Sequence, residues 1–207
     1  MAKYRLNIRF RDEDLEIIAK AQQKVVLVKH TVGSSDASVA WVSFKPWQKN
    51  TVDWMNQFAI YSSSSEVMNG ATISKLADKS ATAGVEYKFA DGYFHAPVVS
   101  VDGKENTYMA RNCADDFPAI TMGLAQNVVV NGQAFANNPI NAVYVPFGQR
   151  VVMTPVEKID VYLKNDIVDS TVISHIQSIA LPVTYKENES EHFIAYNGKT
   201  GEFFLES

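Results

Sequence analysis

The chain has almost no cysteine. Cys113 is the only one in 207 residues, so no disulfide can form within the chain and the fold must rest on burial and hydrogen bonding. It also lacks an excess of charge. The formal net charge is -4, which supplies no broad positive field to hold a phosphate backbone, and no nucleic-acid partner is expected. Long apolar runs are missing too: none approaches the roughly twenty residues a membrane-spanning helix needs, so no transmembrane segment is expected. The opening MAKYRLNIRFR alternates charged and apolar residues and has no apolar stretch followed by small residues. That pattern points to a cytoplasmic protein, or one released without a classical signal peptide.

Chemistry-bearing motifs are absent as well. No GxSxG, Walker-type loop or dinucleotide fingerprint occurs. The four histidines, His30, His95, His175 and His192, are scattered, with no pair at metal-ligand spacing. Cys113 is followed by Asp115 and Asp116, whose charge opposes thiolate formation, so it is a poor nucleophile. DGKEN at 102–106 and NDIVD at 165–169 bring oxygen ligands to turns but lack the ordered positions of a calcium loop. No catalytic residue, metal or cofactor is assigned.

What the chain does have is β pattern. Tyr4, Leu6, Ile8 and Phe10 alternate with Lys3, Arg5, Asn7, Arg9 and Arg11, the signature of a half-buried strand with a cationic outer face. That face can guard a sheet edge or meet an anionic surface. DEDLEIIAKAQQ follows, with acids in its first turn and Leu15, Ile18 and Ala19 at helical spacing, so a short helix capped by Asp12 is predicted. From Lys24 onward short segments rich in Val, Ile, Thr and aromatics dominate. Asn-Gly or Asp-Gly pairs fall at 69–70, 91–92, 102–103, 131–132 and 197–198, and such pairs tolerate the positive φ of tight hairpins. The fold class expected is all-β, an antiparallel β-sandwich with one short N-terminal helix.

An internal echo divides the chain. GATISKL at 70–76 aligns with STVISHI at 170–176, Ala59-Ile60-Tyr61 with Asp160-Val161-Tyr162, and Val85-Glu86-Tyr87 with Val183-Thr184-Tyr185. Gly92-Tyr93-Phe94 aligns with Gly201-Glu202-Phe203. The expected organisation is an N-terminal strand and helix over 1–23, a first β repeat over 24–95 and a second over 105–207, closing into one pseudo-duplicated unit or two packed lobes.

The stretch Val39–Tyr61 holds all three tryptophans, Trp41, Trp47 and Trp54. In the echo they face positions near Thr121, Phe147 and Pro155, so the shared fold does not require indole there. Two readings are open: the rings fill a core, or Trp47 and Trp54 stand on an exposed rim around the polar loop between them. On the rim reading the ligand-binding set is Trp41, Trp47, Lys49, Asn50, Asp53 and Trp54, with Lys3, Arg5, Arg9 and Arg11 as a cationic face. The partner would be a glycan or a lipid head group, met by a lectin-like or cytolysin-like surface-recognition protein, possible as a homo-oligomer. An alternative is an enzyme or small-molecule carrier with a pocket between the halves, using Tyr185, His175, His192, Glu187, Glu189 and Glu191. A further alternative is a self-assembling structural protein with exposed strand edges. The make-up resembles that of cytosolic lectins and small β-sandwich cytolysins, but no family motif falls on particular residues, so no residue's role follows from the resemblance.

Overall fold

The computed structural model describes residues 2–33, 37–100, 103–173 and 179–206. His175, Asp102 and the end of the second echo segment after Ile173 lie outside the described residues. The first elements are β1 (Lys3–Arg9), α1 (Asp12–Lys20), β2 (Lys24–Gly33), β3 (Ala37–Phe44), β4 (Lys49–Met55), β5 (Phe58–Ser63), β6 (Lys75–Ala81), β7 (Val85–Ala90), β8 (Tyr93–Phe94) and β9 (Val98–Val99). They are followed by β10 (Tyr108–Asn112), β11 (Ala119–Val130), β12 (Gln133–Pro139), β13 (Asn141–Pro146), β14 (Arg150–Lys164), β15 (Val172–Ile173), β16 (Leu181–Thr184), β17 (Glu191–Asn197) and β18 (Glu202–Leu205). The chain is mostly β with one helix among the described residues, and its strands join in one large mixed network.

Two long strands organise the pairing. β11 lies along the interrupted strand β4–β5 on one side and the interrupted strand β12–β13 on the other, antiparallel to both. β14 lies antiparallel to β2 on one side, and to β10 and then β16 on the other. The two systems meet where β3, paired with β2, also pairs with β13. Strands from residues 24–95 therefore hydrogen-bond directly to strands from 105–207.

The expected antiparallel sheet is corrected to a mixed one, because β1 runs parallel to β17 and β10 runs parallel to β7. Each of these strands also pairs antiparallel, β1 with β4 and β10 with β14. It follows that β1 is an interior strand, and the edge-guard reading of its cations is corrected: both of its edges are already occupied. Its alternation is as read, with Leu6 and Ile8 fully buried and Arg5 and Arg9 outside.

The helix begins one residue earlier than expected. Arg11 is the N-cap and makes no side-chain capping bond, while Asp12 is the first helical residue beside Glu13 and Asp14, where acids suit the helix dipole. Asp91-Gly92 and Asn131-Gly132 have positive φ at both residues and close the two-residue hairpins β7–β8 and β11–β12. One principal core collects Leu6, Leu27, Trp54, Leu124, Ile159 and Ile194, drawn from six different strands.

Candidate functional site

The three tryptophans divide between two environments. Trp41 is 0% exposed and Trp54 3%, whereas Trp47 is 62% exposed. The strand β4 shows why: its burial alternates, with Asn50, Val52 and Trp54 inward and Lys49 and Met55 outward. Trp47 lies in the loop before that strand, free of its alternation. The rim placement is therefore corrected for Trp54, which belongs to the inward row, and Trp41 is likewise interior.

Trp47 lines a groove of about 680 Å³. One wall is α1 with Leu15 and Ile18, the other is the segment Asp166–Val168, and Gln22, Gln23 and Lys45 supply polar groups at the margin. The walls are tied down. Lys24 Nζ donates to the Ile167 carbonyl at 2.9 Å, and Asp169 Oδ1 accepts from both the Ser43 amide and its hydroxyl, at 2.6 and 2.8 Å.

Asn50 holds the Trp47 loop in place. Its side chain is buried, accepts from the Trp47 amide at 2.9 Å and donates to the Trp47 carbonyl at 2.8 Å and the Ile8 carbonyl at 3.3 Å. Asn131 at the β11–β12 hairpin donates to the same Asn50 oxygen at 3.1 Å. Gln48 adds two further ties: its carbonyl accepts from the Phe10 amide at 3.0 Å, and its side-chain amide donates to Asp12. Asn50 thus sits behind the exposed ring and positions it.

The remaining expected residues lie elsewhere. Asp53 accepts from Arg5 Nε at 2.8 Å on the outer face of β1 and β4. Arg9 lies 3.5 Å from Glu206, and its guanidinium stands over the Phe193 ring at 5.9 Å. Arg11 pairs with Glu13 at 3.6 Å. Lys3 and Lys49 are exposed at opposite ends of the same face. Acids thus answer three of the four cations along β1, and the face is mixed in sign.

Sequence reasoning missed the centre of the core. Lys29 is fully buried, with Nζ 2.8 Å from Gln126 Oε1 and 3.0 Å from Glu157 Oε2. The ammonium stands 5.2 Å from the ring centroids of both Trp41 and Trp54 and 5.8 Å from Phe58. Trp54 Nε1 donates to the same Glu157 oxygen at 3.2 Å, and Trp41 Nε1 to the Gln126 carbonyl at 3.2 Å. Burial pushes the Lys29 pKa down, partly opposed by the charge and hydrogen bond of Glu157. Burial, then the charges of Glu157 and Glu191, hold the Tyr185 phenol well above its usual range. The readable signal was that Lys29 continues the row of Val25 and Leu27, both of which face this core.

Of the pocket residues considered as an alternative, Tyr185 donates its hydroxyl to the Arg5 carbonyl at 2.9 Å, and Glu191 accepts from Asn7 at 2.8 Å. Glu187 and Glu189 lie with Tyr4 and Tyr185 around a separate cavity of about 490 Å³ at the 186–190 turn, and His192 stands 3.6 Å from Glu189. No group of three or more potential metal ligands gathers among the described residues. Comparison with protein-family models, with curated proteins and with solved structures finds no match.

Proposed function

We propose that this is a non-enzymatic surface-recognition protein that binds a glycan in the groove beside Trp47. The observation that carries this reading is the contrast between ring and backbone. The indole is largely open to solvent, yet the amide and carbonyl of the same residue are both held by a buried asparagine. An exposed ring on a fixed backbone is pre-organised for stacking, because little freedom is left to lose on binding. Sugars offer the matching surface, an apolar C–H face bordered by hydroxyls, and Gln22, Gln23 and Asp166 supply amide and carboxylate partners at the margin.

The reading includes an architecture: a sandwich of two sheets enclosing one core, made of two interleaved copies. Corresponding pairings support the duplication. β1 with β4 and β17 matches β10 with β14 and β7, and the hairpin β7–β8 matches β17–β18. The break between β4 and β5 matches the bulge of β14 between Val156 and Ile159. The echoed segments also pair with each other, through an isolated bridge between Thr72 and Thr171.

A glycan array probed with wild type and with Trp47→Ala tests the function. Saturable binding that falls roughly tenfold or more in the variant is expected, the loss of a stacking ring worth about 1.5 kcal/mol. Equal binding by both proteins, or binding to nothing on the array, would sink the reading.

A further inference from the structure

The loop that carries Trp47 has a counterpart. Pro46-Trp47-Gln48 joins β3 to β4, and Pro146-Phe147-Gly148-Gln149 joins β13 to β14. In both, an aromatic residue follows proline and is turned outward: Trp47 is 62% exposed and Phe147 52%. The two loops are anchored alike. The Phe10 amide, just past β1, donates to the Gln48 carbonyl at 3.0 Å, and the Asn112 amide, at the end of β10, donates to the Gln149 carbonyl at 3.0 Å.

Each loop also has a buried asparagine behind it. Asn112 is fully buried, and its side chain donates to the Val145 carbonyl at 3.1 Å and accepts from the Ala114 amide at 3.1 Å. Its own carbonyl accepts from the Gly148 amide at 2.8 Å, while the Phe147 amide donates to the Pro118 carbonyl at 2.9 Å. Arg111 closes the back of the loop, donating to the Gly148 carbonyl at 2.9 Å. The Phe147 amide is held and its ring is exposed, as at Trp47, although here the asparagine braces the neighbours of the aromatic residue and not its own amide and carbonyl.

We propose that Phe147 is a second glycan platform and that each chain is therefore bivalent. This rests on the reading of Trp47 as a glycan platform. The two sites differ in the segment next to the loop, which at the second is the turn whose Pro118 carbonyl holds the Phe147 amide. Where the first half places α1, with Gln22 and Gln23 beyond it, the second half has only the turn Cys113–Pro118, which carries the exposed carboxylates of Asp115 and Asp116. Carboxylates accept hydrogen bonds from sugar hydroxyls and repel anions, so the second site takes neutral sugars and rejects sialylated or sulfated ones. A flat phenyl ring with two acceptors holds a sugar more weakly than an indole in a groove. The gain comes from linkage: the Phe147 loop is tied at the start of β11 and the Trp47 loop at its end, so one chain can bridge two glycan-coated surfaces.

The test is calorimetric titration with galactose-, mannose- and N-acetylglucosamine-based trisaccharides, together with agglutination of beads bearing the same sugars. Two sites per wild-type chain are expected, one in Trp47→Ala and one in Phe147→Ala, with agglutination lost in both variants. Asp115→Asn with Asp116→Asn provides a second, surface-only variant, and should weaken the Phe147 site alone. A single site in wild type that Trp47→Ala abolishes and Phe147→Ala leaves intact would overturn the second platform while sparing the first. Absence of any trisaccharide binding would overturn both.

Discussion

Trp54 and Trp47 are seven positions apart, and they teach opposite lessons about an aromatic cluster. Trp54 is locked in the core between Trp41, Tyr4 and Tyr185, with its indole N–H on Glu157 and the ammonium of Lys29 beside its ring. Trp47 has its backbone locked and its ring free. In the first region the side chain serves the fold. In the second the fold serves the side chain. The buried asparagine between them, Asn50, shares the inward row of Trp54 but holds the loop of Trp47.

The sharpest way to break this comparison is at Lys29. Lys29→Met leaves Glu157 without its cation, and a loss of about 3–5 kcal/mol is expected in urea unfolding, with most of it recovered when Glu157→Leu is added. Trp54→Ala opens a cavity in the same centre and should cost about 3–5 kcal/mol, enough to unfold a marginal domain. A loss below about 1 kcal/mol at either position would show that this centre contributes little to the stability of the fold.

The same centre has a pH signature. Lys29 releases its proton at a lower pH in the folded chain than in the unfolded chain, where the ordinary value is 10.5. Between the two values the unfolded chain holds more protons, so this group makes stability rise with pH across that window. The Tyr185 phenol acts in the opposite sense above its ordinary value of 10.0, because the folded chain keeps that proton longer. Unfolding of wild type and Lys29→Met followed from neutral pH to the ordinary lysine value should show the rising contribution in wild type only. Parallel curves would assign the slope to other groups.

Asn50→Ala should fall between the two regions. It leaves the Trp47 amide and carbonyl without partners, costs about 1–3 kcal/mol, and weakens glycan binding although Asn50 lies behind the loop. Restored binding in Asn50→Asp, which keeps the acceptor for the Trp47 amide, would identify that hydrogen bond as the one that matters. The smallest effect on stability is expected for Trp47→Ala, within about 0.5 kcal/mol by thermal unfolding, with loss of binding. A large stability loss there would place the ring in the packing and remove the distinction between the two tryptophans.

Local structure follows from short-range pattern in the chain. Alternation in the first strand, the acids that open the helix and the Asp91-Gly92 and Asn131-Gly132 turns were all legible, because strand period, helix dipole and positive φ act over a few residues. Much of the aromatic set could have been sorted the same way, since Asn50, Val52 and Trp54 alternate with Lys49, Thr51 and Asp53 along one strand. Which strands are neighbours is settled by long-range pairing instead. The cationic strand is interior because β17, more than 180 residues away in the chain, pairs with its free side. No local pattern encodes that partner. Burial of Lys29 is decided in the same way: a lysine in an apolar run is stable inside only where distant strands bring Glu157 and Gln126 to its ammonium, and those contacts exist only after the long strands have paired.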